Sequence, residues 1–307
     1  MKTTRKNAIA LLVTIFFIMA ITIGIGIGLG AMKSASQDAQ SEKFMFQTAI
    51  VLDDVLSILN SSQEIDALSD ANATETFALF LSQTQFIPVE IEDMKVLIQI
   101  GSARGRFNIN SLQDESAKLH VQRAEYLGAY LKRFRVQEEY IDFLRDGISG
   151  IKEDASYHTR LFYDAPYMYR DYIASQQHLE QINEAYRRQH RDTSLKNADL
   201  KTLFSFNKEK KTKIDLNYAT PATWMLMLGI DEASALSLAQ KSNLYESYED
   251  LPISDERKVV LQEVFDTTFF EPFIEVQVAI VQGNKSAKIL FEYDLKNKKG
   301  SNFVYEI

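Results

Sequence analysis

The chain has 307 residues, 46% of them apolar and 25% charged, with only 12 Gly and 5 Pro, which is the composition of a folded protein. All 42 acidic residues lie after Lys33, against 30 of the 34 basic ones, so the part beyond Lys33 carries a net charge of −12. A surface that acidic repels phosphate backbones and argues against nucleic acid as a general partner. The absence of Cys excludes disulfides and thiol chemistry.

The first element predicted is a membrane-spanning helix over residues 9–32. After Lys6 no charge appears until Lys33, and a crossing needs ~20 apolar residues. Lys2, Arg5 and Lys6 precede the run, so the positive-inside rule keeps the N-terminus cytoplasmic and exports the rest. A cleavable secretory signal would have a shorter apolar core, ~7–15 residues, ending at a small-residue cleavage site. Gly24, Gly26, Gly28 and Gly30 close the run as two small-xxx-small pairs on different faces, a helix-packing pattern. Each also costs ~1 kcal/mol of helix propensity, so a packing role, easy local unwinding and incidental glycines all stay open.

Helical spacing continues beyond Lys33. Phe44, Thr48, Val51, Leu52, Val55 and Leu59 share one face, and Asn60-Ser61-Ser62 ends the pattern. Span and amphipathic half read as one helix of about 50 residues, ~75 Å long. A short apolar helix is expected around Phe77 to Leu81, then a β-like stretch from Val89 to Ile100, then a second short strand in Gly105 to Leu112 running into a helix. From there to about Phe206 the chain reads as helical and charged. Ala124, Leu127, Leu131 and Phe134 form one stripe, and Tyr140, Phe143 and Leu144 begin another; Pro166 suggests a loop within Leu161 to Ala174. Asn207 to Lys213 reads as a solvated linker rather than a basic binding patch.

Lys213 to Ala239 reads as a short strand, a cap and two short helices. Asn217 or Thr220 caps the first, with Pro221 in its first turn; Gly229 ends it and Asp231 caps the second. The tail alternates as a hairpin, Ile274 to Ile280 and Ile289 to Leu295, with a last strand in 302–307. FNIN (Phe107 to Asn110) and IDLN (Ile214 to Asn217) form a repeat in outline, each a short strand ending in Asn before a helical block. The predicted fold is α+β: a long N-terminal helix packed on a small antiparallel sheet that is interrupted by a large all-α insertion.

No catalytic constellation is present. His120, His158, His178 and His190 lack metal-ligand spacing and read as surface residues, and there is no GxSxG, Walker or GxGxxG motif, so the chain is not expected to be an enzyme. Leu216 to Leu251 also reads as a helix-hairpin-helix, which elsewhere grips phosphates, making a membrane-anchored DNA-binding protein the alternative function. Here Asp231 stands where a second hairpin glycine would be, and its charge opposes that role.

The basic leader and apolar run, the Asn-x-Asn strand (Asn108, Asn110), the DLN of Asp215 to Asn217, the LGIDEA turn and the YESYEDL stretch before the closing hairpin occur in one order. In that order the chain resembles the minor pseudopilin K family of bacterial type II secretion systems (general secretion pathway protein K) over nearly its full length. The resemblance implies a pilin-like fold with a helix-hairpin-helix-like (SAM-like) insertion. Its expected parts are a leader at 1–8, a transmembrane helix at 9–32, a pilin-like helix and first strands at 33–105, helical blocks at 106–211 and 212–268, and closing strands at 269–307. It implies cleavage after Ala8, or after Asn7 as second choice, by a prepilin peptidase, with Ile9 as an N-methylated terminus. It also implies an inner-membrane protein with a periplasmic body at a pseudopilus tip, taking part in protein export. Its partners would be other minor pseudopilins, the major pseudopilin, the prepilin peptidase and inner-membrane lipid, with no nucleic acid.

Two departures are visible. Ala8 stands where the family has Gly, and the fifth mature position is Val13 (Leu12 in the other register) rather than the Glu of major pilins. An apolar residue there cannot neutralise a neighbour's terminal amine in the membrane, which suits a subunit that has no predecessor. No cofactor is expected. Calcium sites occur in some relatives, and Asp215, Asn217, Asp231 and Glu232 are oxygen ligands of the right kind, although the same residues also read as caps. Asn72, within Asp70 to Thr74, fits an acidic-x-Asn-x-Ser/Thr glycosylation acceptor.

Overall fold

The computed structural model of the chain describes residues 39–306, apart from 63–64, 66–67, 69–73, 92, 155 and 242. Asn7, Ala8 and Ile9, the predicted span with Gly24, Gly26, Gly28 and Gly30, and Asn72 lie outside the described residues.

Helix α1 runs Ala39–Ser61 and is, by length and composition alone, apolar enough to cross a membrane. A third of its most apolar window is buried within the protein. The expected face is the buried one: Phe44, Thr48, Val51, Leu52, Val55 and Leu59 are buried, while Met45, Phe46, Ile50 and Ile58 are exposed. The chain divides into two compact units between Val55 and Leu56, inside this helix. In the second unit the end of α1 is held by the sheet: the Tyr293 hydroxyl donates to Asn60 Oδ1 at 2.8 Å, and Lys298 Nζ to the Asn60 carbonyl at 3.1 Å. Helix α2 (Thr74–Thr84) follows and buries Phe77 and Leu81.

Five strands form one antiparallel sheet in the order β1-β2-β7-β8-β9. They are β1 (Phe86–Ile91), β2 (Met94–Ser102), β7 (Phe273–Gln282), β8 (Lys285–Asp294) and β9 (Lys299–Glu306). The stretch Val89 to Ile100 is not one strand but a hairpin, with Ile91 opposite Met94. Its polar turn carries no Gly or Pro, so alternation alone could not mark the reversal. Pro88 is tolerated because β1 is an edge strand. The β7–β8 hairpin forms where expected, turning at Gly283 with φ 59°, as a two-residue loop with glycine first requires. Ile274, Val276, Val278 and Ile280 of β7 and Ile289, Phe291 and Tyr293 of β8 make its buried face. Each fully buried side chain of this kind contributes ~1.5–3 kcal/mol.

The sheet is interrupted between β2 and β7 by two helical blocks, each closed by a pair of two-residue parallel strands. In the first, β3 (Phe107–Asn108) pairs with β4 (Phe204–Ser205). Between them lie a 3-10 turn (Ile109–Leu112) and helices α3 (Val121–Lys132), α4 (Glu139–Gly147), α5 (Leu161–Asp164), α6 (Gln176–His190) and α7 (Leu200–Leu203). The predicted stripes on α3 and α4 are buried, and Pro166 falls in the loop after α5.

In the second block β5 (Ile214–Asp215) pairs with β6 (Thr267–Thr268) around α8 (Pro221–Leu228), α9 (Glu232–Ala239) and α10 (Asp255–Glu263). Thr220, not Asn217, caps α8; Pro221 is at its start, Gly229 ends it at φ 62°, and Asp231 caps α9. Helix α10 has no counterpart in the sequence reading, because only Leu261 of its nine residues is fully buried and the apolar period is faint. Both blocks share one core, in which the Phe107 ring meets Phe204 at 6.3 Å and Phe265 at 6.1 Å.

Candidate docking surfaces and the clamps behind them

The outline repeat is a structural one. In FNIN, Asn108 Oδ1 accepts from the Asn110 backbone N–H at 3.2 Å, and Asn108 Nδ2 donates to the Glu209 carbonyl at 2.7 Å. Asn110 then ties three strands of chain: its Nδ2 donates to the carbonyls of Ile173 and Asn207, both at 3.0 Å, and its Oδ1 accepts from Ile173 N–H at 2.8 Å. In IDLN, Asp215 Oδ1 accepts from Asn217 N–H at 2.9 Å, and Asp215 Oδ2 accepts from Glu271 N–H at 3.0 Å. Asn217 Nδ2 donates to the carbonyls of Tyr245 (3.0 Å) and Phe269 (2.6 Å), and its Oδ1 accepts from Tyr245 N–H at 2.8 Å and from Lys241 Nζ. These side chains substitute for backbone partners where the chain turns away from its short strands.

The Asp215 carboxyl is pushed up to about 7, first by burial; the N–H groups of Asn217 and Glu271 and the Lys241 charge pull the other way. Burial lowers Lys241 to about 8, against the attraction of Asp215 and Asp250. The ammonium lies 3.3 Å from the Tyr245 ring centroid.

This geometry assigns the calcium candidates other partners. Asp215 and Asn217 are brought together, but their oxygens are taken by backbone N–H groups and by a lysine. Asp231 is a helix cap whose Oδ1 accepts from Ser234 N–H at 3.0 Å, and Glu232 stands exposed in the first turn of α9. A cation at Asn217 would have to displace Lys241, so these residues do not fit a calcium shell. Among the described residues no group of three or more His, Asp or Glu is arranged to hold a metal.

The histidines are less exposed than their charged surroundings suggest. Only His158 is exposed; His120 caps α3, His190 stacks on Tyr186, and His178 is buried and held below its ordinary pKa by desolvation.

A second group, which sequence reasoning missed, joins insertion to sheet. Arg104, leaving β2, makes two bonds to Glu292 of β8, at 2.7 and 2.6 Å, and lies 4.0 Å over the Phe273 ring. Asn207 Nδ2 donates to the same carboxylate at 2.9 and 3.2 Å, and Arg106 pairs with Glu275 of β7. A bidentate Arg–carboxylate pair fixes direction as well as distance, so the first block leaves the sheet at a set angle. The only sequence signal was the pair of arginines flanking Gly105.

Exposed apolar side chains among the described residues include Met45, Phe46 and Ile50 of α1 and, in the first block, Tyr163, Tyr167 and Tyr169. A cleft opens beside β8, between it and the linker after β4.

A helix with an amphipathic stripe, an antiparallel sheet and a helical insertion within that sheet make an α+β, pseudopilin-like fold. No protein-family model matches the chain, and no curated protein matches it. Among solved structures it is similar to a chain in the crystal structure of the GspK-GspI-GspJ complex of the type 2 secretion system from enterotoxigenic Escherichia coli. The TM-score is 0.58 at 13% sequence identity, over 87% of this chain and 98% of that one. At this identity the likeness is one of fold.

Proposed function

We propose that the chain is a minor pseudopilin of a type II secretion system, of the K type, that sits once at the tip of the periplasmic pseudopilus. The observation that carries this reading is the interruption of a pilin-like sheet by a folded insertion from Ala103 to Pro272, in a chain whose fold matches nearly all of a chain from a pseudopilin complex. A body of that bulk between β2 and β7 would obstruct further subunits stacked above it, so the protein acts by shape rather than catalysis. The apolar N-terminal helix is its membrane anchor and filament core. Residues 1–8 are removed by a prepilin peptidase, and its neighbours are other minor pseudopilins and the major pseudopilin. Counting subunits on isolated pseudopili tests the reading: one copy per filament end is expected, and many copies along the shaft would reject it. N-terminal sequencing from cells with an active peptidase is expected to begin at Ile9; an intact Met1 would sink the processing step.

The DNA-binding alternative draws on the helix–Gly229–helix hairpin of α8 and α9. Against it, the Asp231 carboxylate accepts from the Ser234 N–H in the first turn of α9 and sets a negative charge where a phosphate would bind. Failure to shift duplex DNA at low salt is the expected result.

A further inference from the structure

Helices α3 and α4 leave a groove of about 510 Å³ between them. Leu119, Val121, Ala124, Gly128, Ala129 and Ile141 make its apolar lining, and no strand of the sheet supplies a lining residue. Leu119 and Ile141 pack back against the core, whereas Val121 is 59% exposed. At ~1.5 Å per residue, α3 gives the groove a length of ~17 Å, or about three turns of a helix.

Gly128 has no explanation inside the protein. It lies in the interior of α3, where glycine costs ~1 kcal/mol relative to alanine. A Cβ built there would meet nothing within 4 Å. Gly147 of α4 differs, because its Cβ would strike the Ile182 side chain at 2.6 Å. Gly147 thus serves internal packing, whereas Gly128, with Ala124 one turn before it, leaves room for a backbone from outside. The charged lining of the groove is acidic: Glu125, Glu138 and Asp142 stand against Lys132 alone. None of these four side chains forms an ion pair among the described residues.

We propose that this groove seats a basic amphipathic helix of a partner polypeptide. Its small apolar side chains lie against Gly128, and its lysines or arginines reach the three carboxylates. Charge complementarity selects the cations. Hydrogen bonding selects the helix: the walls are helices whose backbone groups are bonded internally, so they offer nothing to an added strand, and the occupant must satisfy its own backbone. The same carboxylates repel phosphate polymers and anionic lipid headgroups. The inference does not depend on the tip assignment.

The test uses the full-length protein in neutral detergent and a fluorescent helical peptide of about 14 residues, matched to the groove, with alanine and leucine on one face and lysine on the other. Anisotropy is read as the difference from protein-free micelles. Saturable, salt-sensitive binding is expected. Gly128→Leu, whose Cβ has open space and whose side chain fills the groove, should weaken it about tenfold or more. Glu125→Lys with Glu138→Lys should do the same, while Glu256→Lys with Glu263→Lys on the exposed side of α10 should leave it unchanged. The pair Glu125→Gln and Glu138→Gln keeps the test decisive if charge reversal unfolds the protein, which circular dichroism reports. Absence of peptide binding overturns the proposal, as does binding that ignores both Gly128→Leu and the rim substitutions. Equal affinity for a peptide with glutamate in place of lysine overturns the charge argument and the proposal with it. Self-association of the protein that Gly128→Leu abolishes would assign the groove to a second copy and overturn it equally.

Discussion

The two helical blocks rest on the same four-residue clamp with one chemical difference. Asn108 opens the first clamp and Asp215 the second. The reason lies across the gap: Asn108 faces the Glu209 carbonyl and must donate, whereas Asp215 faces the Glu271 N–H and must accept. Both then present an oxygen to the asparagine two residues on. The second block therefore holds a buried acid and the first a neutral amide. One backbone design thus acquired a titratable group in one copy only, because a single partner group was turned round.

The largest effect is expected where the two clamps touch. A Cβ on Gly105 would meet the Tyr218 carbonyl oxygen at 2.1 Å, and the Gly105 carbonyl accepts from Thr220 N–H at 3.0 Å. Gly105→Ala should cost about 4 kcal/mol in chemical denaturation, since backbone must move. Gly101→Ala, where nothing lies within 4 Å, is the contrast and should stay within about 0.5 kcal/mol. Equal losses would mean the close approach does not join the blocks.

Next come the clamp asparagines. Asn110→Ala and Asn217→Ala each leave buried carbonyls and an N–H without partners, a loss of about 3 kcal/mol. Hydrogen exchange should localise them: Asn110→Ala exposes the Ile173 amide and Asn217→Ala the Tyr245 amide. Loss of both amides in either variant would show that the blocks do not open separately.

Exchanging the clamp openers should cost about 2 kcal/mol each. Asn108→Asp sets a carboxylate against a carbonyl, and Asp215→Asn either sets an amide N–H against an N–H or turns its oxygen from Asn217. A neutral outcome for either would refute the donor–acceptor explanation of the difference.

The last effect is a pH dependence of opposite sign in the two blocks, because buried His178 in the first block, held below its ordinary pKa by desolvation, loses its contribution to stability as pH falls. Burial pushes the Asp215 carboxyl up from its ordinary 3.8 to about 7, so its contribution to stability is full below about 4 and is lost as pH rises through about 7. Lys241 is lowered to about 8, so its contribution is full above its unfolded value and lost as pH falls through about 8. Between pH 8 and 5 Asp215 dominates the change. The Tyr245 amide, corrected for intrinsic exchange, should gain protection relative to Ile173 on acidification. Asp215→Asn should remove that gain. A parallel response of both amides would place the titration elsewhere.

Much of the architecture was legible in the residues. The face of α1, the stripes on α3 and α4, the β7–β8 hairpin and the repeat at Phe107 and Ile214 rest on periodicity and turn chemistry, which are local and so readable from neighbours in the chain. The β1–β2 reversal and α10 were not, because a polar turn without Gly or Pro and a helix with one fully buried residue leave little pattern. The choice of Thr220 over Asn217 as the cap of α8 was also undecidable locally: Asn217 is recruited by Tyr245 and Phe269, which only folding brings near.

The sequence by itself determined which residue types were available: the acidic body, the lysine runs, the Asx-x-Asn signatures and the apolar N-terminal helix. Tertiary structure alone decided what they became. It spent the oxygens of Asp215 and Asn217 on backbone groups and Lys241, and it set Arg104 onto Glu292 across 188 positions of chain. It also drew residues 207–211 together with Asn297 and Lys299 at one cleft. The physical reason is range: periodicity and capping act over a few residues, whereas ion pairs, clamps and clefts depend on which distant segments share a surface, and pairing of the sheet strands selects those segments.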